Sequence, residues 1–470
     1  MYDGARNLWL CKDEPWNSKP RFDSASLKVT PFFNCETRVS YFRPIASVND
    51  AQGRKKMEAL RFLRTHVASG WKYSVFVALC ALPVVASVLE KFTRRRWVFM
   101  DADAVICAAQ AVAAGYSPYA EGVACPGLAP APFVYAPQIA HALAPLVDAL
   151  GALEARNLYL CALLLPTTLF LIWFALFRAN PDLPRHYRWL AFAALSPMTF
   201  VCANIGIVMH GSVLASLLLF RQRWPFVLVV LICTYIKPTF MGYFVVLLME
   251  NRPLGACMRR FVFACVAGVS TVLLTIHGAG ESRAAWRQAL NGVAIEAQPG
   301  LGLFARLSWL GIDTGSPAAL GIGLIFIAAM IMAGVVIART GNRSEDHRLI
   351  LGMGVAVLCN PRLMDYDMVL LVPYAALLGQ SIGGLRGRIL RFNLSWGLVL
   401  PLAAGALAYL FHVNPYQRTH VAMFAFSVLT LIIGWRLWQA NGVARTAVRA
   451  YIDRLRTVPL KVPIRFQRKA

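Results

Sequence analysis

Acid is scarce in this chain: 23 Asp and Glu stand against 47 Lys and Arg in 470 residues, and charged residues of both signs make up only 15%. So little charge cannot clothe a water-soluble core of this length, because 58% of the residues are hydrophobic and apolar runs recur from Trp71 to Trp438. Metal-ligand spacing is also missing. The 11 cysteines form no Cys-x-x-Cys pair and no His/Cys cluster, which argues against a zinc site and against a disulfide framework. They read as small core residues, Cys107 and Cys125 included, although those two share a loop and could pair. Residues 1–70 lack an apolar h-region, so no cleavable signal peptide is recognised. No aromatic-basic module accompanies the net charge of +24, which argues against nucleic acid as a partner.

What is present is apolar length. A spanning helix needs roughly 20 mostly apolar residues, and the stretches 73–90, 157–177, 261–277, 318–338, 394–411 and 420–438 approach that. A further run at 133–151 reads as a span. The fold class expected is an all-α polytopic membrane protein with about 10 to 13 spans, membrane lipids serving as its solvent. Basic residues gather in the N-terminal segment, in short loops and in the tail, as the positive-inside rule requires. Three divisions follow: a polar cytoplasmic segment 1–71, a transmembrane region 72–440 and a basic cytoplasmic tail 441–470 lying on anionic headgroups. Met57 precedes a basic juxtamembrane stretch, so an over-long start is expected there.

Two outer loops stand out, about 91–132 and 279–316. In the first, residues 103–114 are expected to form an amphipathic helix on the membrane surface, stopped at Gly115. The second contains Gln298, Arg306 and Trp309 and carries a further candidate surface helix. Three hairpin-like patterns have basic flanks and polar apices: Arg188 and Arg221 around Asn204 and His210, Arg223 and Arg252 around Lys237-Pro238, Arg348 and Arg386 around NPRLMDYD. With cytoplasmic flanks, the apices and the first loop share the outer side.

Carboxylates at a membrane boundary need a reason. A site partly shielded from water raises a carboxylate's pKa toward the range of a general base. Asp101 suits that role, while Asp103 suits a helix N-cap or a second acid. Lys237 lies some 13 residues from each basic flank, where burial costs about 2.5 to 3.5 kcal/mol. A lipid phosphate, an internal carboxylate or snorkelling to the headgroups would each relieve it. Arg306 and Arg362 are weaker phosphate candidates, their guanidinium forks matching phosphate oxygens. Asp365 and Asp367 flank Tyr366 and read as site-lining acids. Asn204 and His210 read as polar lining or packing, and Tyr116, Tyr119, Phe133 and Tyr135 as an interface belt or a sugar-stacking surface.

Four ordered blocks, DADAVICAAQAVAAGYSPY with FVYAP, TYIKPTF, QPGLGLFARL and NPRLMDYDMVLL, span about residues 72–380. Together they resemble glycosyltransferase family 87, a polyprenol-phosphate-sugar-dependent branch of the GT-C membrane transferases. Counting back from Gly115 and Ala108-Ala109, Asp101 falls on the family's Asp. Two departures stand out: Gly206-Ile207 with His210 nearby at the first apex, and Gln298 and Gly300 where the family has Asn and Ser.

The resemblance implies a GT-C helical bundle in a bacterial inner membrane, its active site on the periplasmic side. It further implies a polyprenyl-phosphate donor of a hexosyl or pentosyl unit such as mannose, a glycan or glycolipid acceptor, Asp101 as base and inversion at the anomeric carbon. Neither metal nor cofactor is implied, since Lys237 and Arg306 can supply the charge that a divalent ion supplies elsewhere. The rival reading is a secondary transporter or flippase for a lipid-linked sugar, which would also carry broken helices and buried charge.

Overall fold

The computed structural model describes residues 98–120, 125–174, 201–220, 222–293, 300–340, 343–364 and 415–440, together with Leu89, Asp367, Leu370, Leu371, Tyr374, Leu377 and Leu378. All of these belong to the unit His66–Ala470. Segments 1–71 and 441–470, the stretch 73–90 apart from Leu89, the stretch 394–411, and the candidate residues Gln298, Asp365 and Tyr366 lie outside the described residues.

Every element among the described residues is helical. Among the described residues, three helices are long and apolar enough to cross a membrane: Ala152–Trp173 (α3), Leu254–Gly278 (α6) and Pro317–Arg339 (α9). At 1.5 Å per residue they measure about 33 to 38 Å, against roughly 30 Å of hydrocarbon. Each overlaps an expected span. In α3 a five-residue π turn, Leu160–Leu164, leads directly into Leu165-Pro166. Pro166 has no N–H to close a regular helical bond, and the wider turn accommodates the gap.

The run at 133–151 behaves differently from its expectation. Its helix is Pro137–Leu150 (α2), 14 residues, about 21 Å and too short for a crossing. Gly151, at φ 85°, turns the chain sharply from α2 into α3. The first-loop helix is also corrected. It spans Met100–Ala113 (α1), and Ala102 to Ala109 and Ala111 are buried, so it is enclosed by protein and not laid on a surface. Its small alanines allow neighbours on every side to approach, and α2 packs along it. It ends where expected, with Gly115 at φ 81°.

The remaining helices are Ile205–Leu219 (α4), Trp224–Ile236 (α5), Arg283–Leu290 (α7), Leu303–Trp309 (α8), Glu345–Leu358 (α10) and Pro415–Ala440 (α11). Between α5 and α6 runs a 12-residue 3-10 helix, Pro238–Met249. Such a length is uncommon for this helix type. It is held by packing: Phe240 and every residue from Tyr243 to Met249 are buried, against α5, α6 and α10. Helix α5 and the 3-10 helix form the arms of the second expected hairpin, and Lys237-Pro238 is its apex.

Two apolar cores position the site. The larger unites α4, α5, the 3-10 helix, α9 and α10, with Ile207, Phe226, Phe244, Met249 and Leu351 at most 1% exposed. The smaller joins α1, α2 and α7 through Val105, Phe133, Tyr135, Ile139 and Trp286. Trp286 is the anchor, its indole N–H donating to the Val134 carbonyl at 3.2 Å, and burying a ring of that size contributes about 4 kcal/mol. Arg283 and Arg287 project from the opposite, exposed side of α7, the amphipathic pattern expected of the second outer loop.

Candidate functional site

Asp101 sits in the first turn of α1, half-buried. Its backbone N–H donates to the Cys202 carbonyl at 3.0 Å, and Phe99 N–H donates to the Val201 carbonyl at 2.7 Å, so the entry to α1 is laced to the chain preceding α4. Phe99 (φ 60°) and Ala203 (φ 54°) flank this lacing, both in the left-handed region that residues other than glycine seldom adopt. Tyr159 of α3 steadies the second, its hydroxyl donating to the Ala203 carbonyl at 3.1 Å. The lacing delivers Asn204, the N-cap of α4. Its Oδ1 accepts from Gly206 N–H at 2.7 Å and its Nδ2 donates to Asp101 Oδ2 at 2.8 Å.

Burial pushes the Asp101 carboxyl above its ordinary value. The Asn204 amide and the positive charges of Lys237 and Arg362 oppose that push without cancelling it. Lys237 is coupled electrostatically to Asp367, Arg362 and Asp101 alike. Residues 101, 204, 237, 362 and 367, from the first loop and all three hairpin apices, therefore gather in one place. Asp101, Lys237 and Arg362 keep part of their surface open, and Asp367 and His210 are buried beneath.

The buried floor is a hydrogen-bonded chain. Asp367 Oδ1 lies 2.7 Å from His210 Nε2, and His210 Nδ1 lies 2.5 Å from the Tyr243 hydroxyl. An ionised carboxylate only accepts, so Nε2–H donates to Asp367 Oδ1, and the Nδ1 contact with the Tyr243 hydroxyl extends the chain. Asp367 Oδ2 accepts from Met364 N–H at 2.9 Å and from Asn360 Nδ2 at 3.3 Å. Phe240 packs on the imidazole, ring centroids 4.8 Å apart. His210, read from the sequence as lining or packing, is thus a partner of Asp367. The hollow beside it, lined by Thr239, Tyr243 and Asn360 among others, holds about 10 Å³, room for a single water.

Asp103 is neither an N-cap nor open to a ligand. Lying inside α1 and 1% exposed, its Oδ2 accepts from Ala129 N–H at 2.8 Å and its Oδ1 from Arg156 at 3.4 Å. It ties the returning first loop and α3 to α1. A second tie is the disulfide Cys107–Cys125, which corrects the reading of both cysteines as core packing: the turn after α1 brings residue 125 back onto the helix, and the Cα atoms come within 5.8 Å. The aromatic residues are likewise not a belt. Tyr119 packs on Phe133 at 5.4 Å and its hydroxyl donates to the Tyr135 carbonyl at 2.5 Å, with Phe133 and Tyr135 buried; only Tyr116, 62% exposed, faces outward.

Arg306, in α8, donates to the Leu301 carbonyl at 3.4 Å, and burial pulls its guanidinium down to about 10, still cationic at neutral pH. Its role visible here is to close the loop that begins α8. Leu301 N–H donates to the Leu363 carbonyl at 2.6 Å, so the chain entering α8 is docked on the segment carrying Arg362. Gly302 permits this contact, since a Cβ there would lie 2.3 Å from the Pro361 carbonyl oxygen. A larger, open hollow of about 800 Å³ lies over α7, lined by Glu281, Arg283, Arg287, Gln288 and Asn291, none of them a residue of the Asp101 cluster.

Sequence reasoning missed Arg156, Tyr159, Tyr243 and Asn360. Arg156, Tyr159 and Tyr243 act through partners 53, 44 and 33 residues away, and nothing local marks them; Asn360 opens the NPRLMDYD block, seven residues before its partner Asp367. Among the described residues no group of His, Cys, Asp and Glu could hold a metal ion. The chain matches no protein-family model, no curated protein and no solved structure.

Proposed function

We propose that this chain is a GT-C-type membrane glycosyltransferase that moves a sugar from a polyprenyl-phosphate donor to a glycan or glycolipid acceptor at the periplasmic face of a bacterial inner membrane. One observation carries the reading. A half-buried carboxylate of raised pKa, Asp101, is held by Asn204 in the field of two partly open cations, Lys237 and Arg362. That combination suits displacement at an anomeric carbon with a phosphate leaving group.

In this mechanism Asp101 takes the proton of the acceptor hydroxyl as its oxygen attacks the anomeric carbon. A new C–O bond forms on one face of the sugar as the bond to the phosphate oxygen breaks on the other, so the configuration inverts. The departing polyprenyl phosphate keeps the electron pair, and Lys237 and Arg362 stabilise the charge it gathers. Asp367, fixed by His210, Asn360 and the Met364 N–H, balances Lys237 from below. The Cys107–Cys125 disulfide supports an outward-facing first loop, since such bonds persist on the oxidising side of the membrane.

The test is transfer by purified protein. Incubation with radiolabelled polyprenyl-phosphate mannose, other monophosphate-linked sugars and extracted membrane glycolipids should yield labelled glycan and free polyprenyl phosphate. Donor crossing the bilayer intact, with no glycosidic product, would replace the enzyme reading by the transporter reading that the broken helix at Lys237 also admits.

A further inference from the structure

About 20 Å from Lys237, at the far end of the 13-residue α5, lies a second charged cluster with a different design. Glu250 closes the 3-10 helix and its side chain is 2% exposed. One carboxylate receives three guanidinium groups: Arg223 Nε on Oε1 at 3.3 Å, and Arg252 Nε and Arg260 Nη1 on Oε2, each at 3.2 Å. Arg223 is 9% exposed and also bonds Glu345, at the start of α10. Arg339, the last residue of α9, donates to the backbone carbonyls of Arg252 at 3.1 Å and Leu248 at 3.4 Å and reaches Cys257 Sγ at 3.5 Å. Three guanidinium groups thus meet two carboxylates, Arg339 adds a fourth through backbone contacts, and the excess charge is positive.

The surplus faces outward. Arg252 and Arg260 are 51% and 43% exposed; Arg260 donates one N–H to Glu250, Arg252 contacts it as an ion pair, and both guanidinium groups keep part of their surface open. Their position on α6 matters as much as their charge. Three residues beyond Arg260 is Phe263, 74% exposed, followed along the same side by Val266 (61%), Leu273 (60%) and Leu274 (65%). An exposed apolar stripe on a helix long enough to span a bilayer is where acyl chains lie, and Arg260 stands at its end, at the depth of the headgroups.

We propose that Arg252 and Arg260, gathered by the buried Glu250 carboxylate, bind the phosphate of an anionic phospholipid whose tails lie along Phe263, Val266, Leu273 and Leu274. Paired guanidinium forks match phosphate oxygens better than dispersed lysines do, and basic clusters between helices at a membrane surface favour anionic headgroups. Neither sugar nor acceptor enters this inference, so it stands or falls apart from the transferase reading.

Native mass spectrometry of the full-length protein, with phosphatidylglycerol and phosphatidylcholine offered in equal amounts, tests it. Wild type should retain phosphatidylglycerol about tenfold more than phosphatidylcholine. The Arg252→Gln/Arg260→Gln double variant should lose that preference at an unchanged melting temperature. Should it melt early, Arg252→Lys/Arg260→Lys keeps the charge and removes the forks, and it should lower the preference by a few fold. Equal retention of both lipids by wild type, or undiminished preference in both double variants, would refute the proposal. Displacement of phosphatidylglycerol by millimolar inorganic phosphate would refute the lipid assignment in favour of a small soluble anion.

Discussion

Asp101 and Asp103 stand two residues apart on one helix, yet the same Asp→Asn change should do opposite things to them. In Asp101→Asn the amide oxygen can still accept from Asn204 Nδ2, now 2.8 Å from Asp101 Oδ2, and a charge whose burial is unfavourable disappears. Stability should therefore stay within about 1 kcal/mol of wild type. Sugar transfer should fall by about 10²- to 10⁴-fold, the usual worth of a general base. In Asp103→Asn the Ala129 N–H can keep its acceptor, but Arg156, 16% exposed, loses its counter-charge. Breaking such a pair costs about 3 kcal/mol at the lower end of the buried range, a loss of several degrees in melting temperature, with turnover per folded molecule changed little. Thermal melts in detergent and initial rates with a radiolabelled polyprenyl-phosphate sugar measure both. Asp101→Asn turning over within tenfold of wild type would refute the base assignment, and an unshifted Asp103→Asn melt would refute the tie.

Because burial holds the Asp101 carboxyl above its ordinary 3.8, kcat/KM should climb with pH through an apparent pKa above that value. The sign for stability is opposite: a raised acid favours the fold most at low pH and loses that contribution as pH rises through the folded-state pKa, a trend Asp101→Asn should abolish. Lys237→Gln should lower kcat/KM for the donor by about 100-fold with acceptor KM unchanged, as for loss of one charge-stabilising donor, read by varying each substrate in turn. Cys107→Ser should cost about 3 kcal/mol for an 18-residue separation, seen as a lower melting temperature that reductant reproduces in wild type and not in the variant. Gly302→Ala would drive a Cβ against the backbone at residues 360 and 361 and should displace the Arg362 segment, raising donor KM; unchanged kinetics would show that the docking of the two loops is slack.

Three of the long spans were legible because apolar length is a local property, and so was the break at Lys237-Pro238, where Pro238 offers no N–H to continue α5. The gathering of the three apices followed from their basic flanks. Burial of α1 was not legible: an alanine-rich helix looks alike on a surface and inside protein. Nor could sequence separate the Asp103 tie from a cap, since Arg156 is 53 residues away, or find His210 on Asp367 across 157 residues. The strained Phe99 and Ala203 carry no compositional mark, being neither glycine nor asparagine. The disulfide was underrated because scattered cysteines on apolar runs usually pack.

The 3-10 helix places every third residue in one column, so Phe240, Tyr243, Val246 and Met249 stand in file from the His210 ring toward Glu250. A single residue inserted at its middle would swing everything beyond it by about 120°. The segment should accept changes of side chain far more readily than any change in its count, and one extra residue would part the arginine end from the histidine end.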